Sequence, residues 1–428
     1  MTKARESLVP LRRRSLLVRP LTDFLAAEAS GGVAVVFAAV VAMVWANSPW
    51  RAAYQTLWAT NFEVSLGRFG FSMDLRHWVN SGLMTVFFFV VGLEIKRELV
   101  EGELRDPRKA ITPVAAAIGG MVFPALIFLA WTFGTPEAKG WGIPVATDIA
   151  LAVGLLTLAG PRVPSGAKLF LLALAIVDDI GAIVVIALFY GSGGRTALLA
   201  VAVGALVATM LFKRFGVTSF APYIVLGVLM WWALHEAGVH ATIAGVAMGL
   251  LAPAKPYVHS DLIDVDELSD VSTVEHAMAS AGIARASVSV VEWLENRLHR
   301  WTSFVVVPIF AIANAGIPVS VSALRGAAGA RVTWGVATGL MIGKPLGILV
   351  ATWLVVRFRV GTLPEGTSWG SLVPAAVVAG VGFTVSLFVT ELAFVGAAAD
   401  QAKVGVLGAS VAAGLVGLAL ASRHRPIN

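Results

Sequence analysis

Residues 141–190 read WGIPVATDIALAVGLLTLAG (141–160), PRVPSGAK (161–168) and LFLLALAIVDDIGAIVVIALFY (169–190). Two apolar helices are joined by a short basic turn. Asp148, Asp178 and Asp179 fall in the middle of those helices. An acid at the centre of a bilayer costs roughly 2.5–3.5 kcal/mol on insertion scales, so three of them together point to an ion or proton pathway. Gly142 and Pro144 precede Thr147-Asp148 and interrupt the first helix. Irregular backbone is tolerated in a membrane where it is buried in protein or lines a water-filled cavity. A broken helix exposes unpaired N–H and C=O groups, and Asp148 can neutralise the positive half-helix end.

The rest of the chain has the same character. Of 428 residues 57% are hydrophobic and 14% charged, whereas soluble domains carry about 25% charged residues. Apolar runs of about 20 residues recur throughout, which excludes a soluble enzyme with one large core and predicts an all-α polytopic membrane protein. About twelve segments are expected, near 25–46, 78–100, 108–133, 142–160, 166–190, 196–213, 219–235, 238–253, 299–319, 332–356, 371–394 and 403–421. An even number puts both termini on one side. Lys and Arg concentrate on that side, which makes it the cytoplasm. The net charge of +6 serves topology and gives no reason to expect a nucleic-acid partner. Arg12, Arg13 and Arg14 read as a cytoplasmic anchor, since no small-residue cleavage site follows the first apolar run. There is no cysteine, hence no disulfide or thiol chemistry.

The expected organisation is a cytoplasmic tail 1–24, one membrane transport domain 25–421 and a cytoplasmic tail 422–428. Within the domain, NFEVSLGRFGFSMD (about 61–74) alternates around Gly67-Arg68 and predicts an external β-hairpin. A lone hairpin is marginal, so it would serve a homodimer contact; a plain external loop is the other reading. A long cytoplasmic loop, about 254–298, carries Asp261, Asp264, Asp266, Glu267 and Asp270 and ends in the amphipathic VSVVEWLENRLHRW.

Further charged groups stand out. Glu94, Arg97 and Glu98 lie at the cytoplasmic end of the second segment, where Glu94 and Glu98 share a face. They form either an ordinary charged helix end or a cluster at the mouth of a funnel. Gly335, Gly339, Gly343 and Gly347 make a stripe for close helix approach. Lys344 sits beside it, and Pro345 frees the carbonyl of Met341. A lysine there needs an anion, and the adjacent pair Asp178-Asp179 supplies candidates. The two aspartates point about 100° apart on a helix, so one can meet a fixed partner while the other faces a cavity. Gly380 and Gly382 interrupt the eleventh segment as Gly142 and Pro144 do the fourth. Segments three to five and ten to twelve therefore read as inverted repeats, and paired broken helices point to a transporter binding site.

The blocks SGLMTVFFFVVGLEIKREL, IPVATDIALAVG, LFLLALAIVDDIGAIVVIALFY, GVHATIAGV, FAIANAG, GKPLGI and GFTVSLF together resemble the NhaA-type bacterial Na⁺/H⁺ antiporters, in family order over roughly 20–420. The resemblance implies an NhaA-like fold of about twelve transmembrane helices with two broken, crossing helices. It implies electrogenic, pH-regulated exchange of cytoplasmic Na⁺ or Li⁺ for external H⁺ in a bacterial inner membrane, with lipid and the transported ions as partners and no cofactor. Asp178 and Asp179 match the ion- and proton-binding pair, which makes them the Na⁺/Li⁺ ligands. Lys344 matches the salt-bridging lysine or proton carrier, and Thr147 and Asp148 match the broken-helix pair. Glu94, Arg97, Glu98, Glu295 and His299 fall on positions tied to pH sensing. Asn296 stands where the best-known member has a histidine. His240, in GVHAT, reads as a hydrogen-bonded packing residue. The enzyme rival, an intramembrane aspartyl protease, lacks its GxGD pattern here. A cation channel is disfavoured by the alternating broken helices. A sodium-coupled solute symporter on a related scaffold is the main alternative.

Overall fold

A computed structural model of the chain describes residues 12–66, 69–191, 193–217, 219–254 and 289–423. The Gly67-Arg68 turn, the acidic positions 261–270, residues 1–11 of the first tail and 424–428 of the last lie outside the described residues. Each apolar segment meets a helix or a bent helix pair. The first is α1 (Arg12–Ala46), which starts well before the apolar run at 25. Next come α2 (Arg51–Ala59) and the antiparallel hairpin β1 (Asn61–Leu66) with β2 (Phe69–Asp74), where Phe62 pairs with Met73 and Val64 with Phe71. The hairpin leads directly into α3 (Leu75–Val100), whose first turn is capped by the Asp74 side chain. Then follow α4 (Pro107–Thr132), a 3₁₀ arm Pro136–Val145, α5 (Ile149–Leu158) and α6 (Ser165–Phe189). The second half of the chain adds α7 (Ala197–Arg214), α8 (Phe220–Glu236), α9 (Thr242–Leu251) and α10 (290–314). It closes with α11 (Val321–Gly329), α12 (Arg331–Arg357), α13 (Trp369–Val378), α14 (Phe383–Ala393) and α15 (Ala397–Arg423).

Among the described residues, 7 helices are long and apolar enough to cross a membrane, and the two bent pairs raise this to 9. α8 and α9 are apolar but shorter. The first half of α10 is amphipathic, as VSVVEWLENRLHRW suggests, and α10 is not among the helices long and apolar enough to cross a membrane. The bent pairs are Pro136–Val145 with α5, at 44°, and α13 with α14, at 43°. The second falls at Gly380/Gly382, and the first at 146–148, just after Gly142 and Pro144, which lie within the 3₁₀ arm itself.

The glycine stripe of α12 has its partner in α4. A methyl group built on Gly347 would overlap the carbonyl oxygen of Gly119, and one on Gly119 that of Gly347. The two backbones therefore touch, as small residues allow in membrane helices. α12 widens into a π turn at Gly339–Gly343, immediately before Lys344. Pro345 cannot donate to the Met341 carbonyl, and a π turn is one way a helix absorbs the lost bond. α10 repeats the device at Thr302–Val306, ahead of Pro308.

Candidate functional site

The two helix breaks meet at the centre of the molecule. The backbone N–H of Asp148 donates to the carbonyl of Val381 at 2.7 Å, and the Thr147 hydroxyl donates to the carbonyl of Ala379 at 3.0 Å. Asp148 Oδ1 accepts the Leu151 N–H at 3.1 Å, capping α5. Its Oδ2 accepts the Thr384 N–H at 3.0 Å and the Thr384 hydroxyl at 2.7 Å, capping α14. One carboxylate thus serves the positive ends of both inner half-helices, where orphan N–H groups favour an anion. Ser386 ties the arms further by donating to the carbonyl of Ile143 at 2.7 Å.

The negative end of the first arm has a cation. Lys344 is fully buried and donates to the carbonyl of Val145 while its ammonium lies 2.7 Å from Asp178 Oδ2. The same Oδ2 accepts the Thr147 hydroxyl at 2.8 Å. Asp178 Oδ2 is therefore shared by Lys344 and Thr147, while its Oδ1 is buried with no hydrogen-bond partner among the described residues.

Asp179 is one residue on and faces elsewhere. It is buried, its Oδ1 has no hydrogen-bond partner, and no salt bridge reaches it among the described residues. It lines a cavity of about 60 Å³ together with Asp148, Thr384, Glu94, His299 and Ser303. At about 10–15 Å³ per water, that admits a few waters. Asp178 does not line this cavity.

The cavity also reaches the charged end of α3. His299 Nδ1 lies 3.5 Å from Glu94 Oε1, and Arg97 Nη1 lies 2.5 Å from Glu295 Oε1. Glu295 sits in the amphipathic start of α10, ahead of the 299–319 span. Burial pushes its carboxyl up to about 7, with Glu94 adding to the shift and Arg97 and His299 opposing it. Glu98 stands apart, because its Oε1 accepts the Glu103 N–H at 2.7 Å and caps the turn after α3. His240 Nε2 contacts the carbonyl of Tyr190 at 2.5 Å, the packing contact expected of it.

The donor set is oxygen: carboxylates, hydroxyls and carbonyls, which suit hard cations. Among the described residues no three carboxylate or imidazole groups form a ready metal cage.

A family model described as Na⁺/H⁺ antiporter 1 matches residues 22–421. The chain belongs to this family. As a Na⁺/H⁺ antiporter 1 family member it is a multi-pass membrane transporter, which sets the protease reading aside. It is 46% identical over 413 residues to a Na(+)/H(+) antiporter NhaA 3 of Frankia alni, covering 95% of this chain and 89% of that protein. It is 43% identical over 427 residues to a Na(+)/H(+) antiporter NhaA of Rhodopirellula baltica, covering 96% of each. Among solved structures, the sodium proton antiporter MjNhaP1 from Methanocaldococcus jannaschii at pH 8 matches 95% of this chain and 99% of that one. Its TM-score is 0.50 at 12% identity, a likeness of fold alone.

Two side chains of this family member escape a reading of the sequence. Thr384 and Ser386 look like ordinary hydroxyls in an apolar helix, yet both bond across to the other broken pair. Their only signal is their place just after the Gly380/Gly382 interruption.

Proposed function

We propose that this protein exchanges cytoplasmic Na⁺ or Li⁺ for external H⁺ at Asp179, electrogenically and under pH control, by alternating access. One observation carries the reading. Asp179 opens onto the cavity without a fixed partner, while the adjacent Asp178 is held by Lys344. A carboxylate binds either a hard cation or a proton. Competition at one site then couples the two fluxes without further machinery. Asp178 joins as a ligand when Lys344 releases it, and Lys344 can itself give up a proton. Thr147 and Asp148 keep the half-helix ends compensated while the ion passes.

In this reading the cavity opens to the cytoplasm through Glu94 and His299. Both termini are cytoplasmic, in a bacterial inner membrane. The transport domain is 25–421 between tails 1–24 and 422–428, with the long loop 254–298 on the cytoplasmic side. Glu94, Arg97, Glu295 and His299 form the pH-responsive mouth: Arg97 pairs with Glu295 and His299 with Glu94, and burial pushes the Glu295 carboxyl up to about 7. Glu98 supports the turn behind them. The hairpin at 61–74 joins two copies. Alternating access is a rigid movement of the broken-helix bundle against the remaining helices.

Purified protein in liposomes with an acid-inside pH gradient tests this. Addition of external Na⁺ or Li⁺, but not K⁺, is expected to alkalinise the interior. No response to any cation across pH 6–9, in folded protein, overturns the proposal. A response that depends instead on an organic solute favours the sodium-coupled symporter.

A further inference from the structure

Tyr190 directly follows α6, the helix that carries Asp178 and Asp179. Its hydroxyl accepts the N–H of Gly142 at 3.0 Å and donates to the carbonyl of Lys139 at 2.9 Å. Both partners belong to the 3₁₀ arm Pro136–Val145. They stand three residues apart, the step that a 3₁₀ helix closes with its own bond. The hydroxyl thus bridges one rung of the arm from α6. The fit is close: a Cβ built on Gly142 would lie 2.8 Å from the hydroxyl oxygen and 3.1 Å from the ring. Glycine at 142 is what lets the hydroxyl reach the backbone. The preceding residues, Trp141 and Phe189, pack edge to face with ring centroids 5.1 Å apart.

The other end of Tyr190 is held from a different part of the molecule. Its main-chain carbonyl meets His240 Nε2 at 2.5 Å, in the turn that leads into α9. A little further on, the Arg195 N–H donates to the carbonyl of Glu236 at 3.2 Å. A Cβ on Gly238 would overlap the backbone of Gly193, so the chain beyond α6 lies tightly against the turn between α8 and α9. α9 itself packs on α3, where a Cβ on Gly245 or Gly249 would strike the carbonyls of Thr85 and Phe89. The carbonyl of Tyr190 is therefore anchored independently of its hydroxyl.

The arm is attached to α6 at two heights. At the break, the Thr147 hydroxyl donates to Asp178. Twelve residues along, roughly 18 Å at 1.5 Å per residue, the Tyr190 hydroxyl holds Lys139 and Gly142. Two attachments so far apart stop the arm from sliding or rocking on α6. The arm ends in Val145, whose carbonyl accepts from Lys344 while the same ammonium pairs with Asp178. An arm out of place would leave that ammonium wholly to Asp178.

We propose that Tyr190 is a positioning residue for cation binding. Its hydroxyl fixes the outer arm on α6, so that the Val145 carbonyl keeps its share of Lys344 and Asp178 can be released to the cation. The inference rests on the reading above, in which Asp178 joins Asp179 as a ligand.

Tyr190→Phe keeps the ring and the carbonyl contact with His240 and gives up only the hydroxyl. In proteoliposomes it is expected to raise the KM for Na⁺ and Li⁺ about five-fold, the worth of one hydrogen bond, with kcat retained. Gly142→Ala pushes on the hydroxyl from the other side and should raise KM likewise. The double variant should be no worse than Gly142→Ala alone, because phenylalanine makes room for the methyl group. Amide exchange at Gly142 should quicken in Tyr190→Phe. An unchanged KM in Tyr190→Phe, a fall in kcat at constant KM, additive effects in the double variant, or unchanged exchange at Gly142 overturns the assignment. Absence of cation-driven proton flux in the unsubstituted protein overturns the proposed function instead.

Discussion

The Lys344 ammonium lies 2.7 Å from Asp178 Oδ2 in a fully buried pair. Removing one member of such a pair strands a charge, whereas removing both leaves none. Lys344→Met is therefore expected to lower stability by about 3–5 kcal/mol, and the Asp178→Asn, Lys344→Met double variant to recover most of it. Thermal midpoints of the four proteins in one detergent check this. A double variant as unstable as the sum of the singles contradicts it.

Asp148 holds two helix starts at once. Asp148→Ala removes the acceptor for Leu151 N–H and for both Thr384 donors. The expected loss is about 2–4 kcal/mol, against about 1 kcal/mol for Thr384→Val, which gives up only the hydroxyl bond. Hydrogen exchange should quicken in both 147–151 and 381–386 for Asp148→Ala. Quickening confined to one segment would show that the carboxylate does not join the two breaks.

The contact of α4 with α12 leaves no room for a side chain at Gly119. Gly119→Ala should destabilise by about 1–3 kcal/mol through overpacking. Gly408, on α15, has nothing within 4 Å of a built Cβ, so Gly408→Ala should be neutral or gain up to about 1 kcal/mol. Yield and thermal midpoint of the two variants decide the matter.

Burial pushes the Glu295 carboxyl up to about 7. The folded chain then holds a proton that the unfolded chain has released between the ordinary carboxylate value of 4.5 and about 7. The group's contribution to stability therefore falls as pH rises through that window, by up to about 1.4 kcal/mol per pH unit. Arg97 and Glu94 of α3, with Glu292 and His299 of α10, set where the fall ends. Glu295→Gln should flatten the slope of thermal midpoint against pH, while Glu98→Gln should leave it in place.

Much of this design is legible in the sequence because the membrane makes polar residues and breaks expensive. Gly142/Pro144 and Gly380/Gly382 mark the two bends, and Lys344 and the adjacent aspartates announce a buried pair. The glycine stripe of α12 is visible too, but its partner Gly119-Gly120 is not, since neither residue says which helix it meets. The ion pair of Glu391, near the end of α14, with Lys403, near the start of α15, is 2.5 Å long and is hidden by a different cause. Each charge looks like an ordinary helix end, and only the corner between α14 and α15 buries them together. Glu98 shares a helix face with Glu94, yet the Gly102–Glu103 turn captures its carboxylate, a local geometry that helical spacing does not encode.

Competition between cation and proton at Asp179 is tested most directly by proton release. Purified protein in a weakly buffered detergent solution near pH 8 is titrated with NaCl or LiCl while pH is followed, with KCl as the ionic-strength control. Na⁺ and Li⁺ should release protons in proportion to protein, and Asp179→Asn should abolish the release. Release of the same size in folded Asp179→Asn would contradict exchange at this carboxylate.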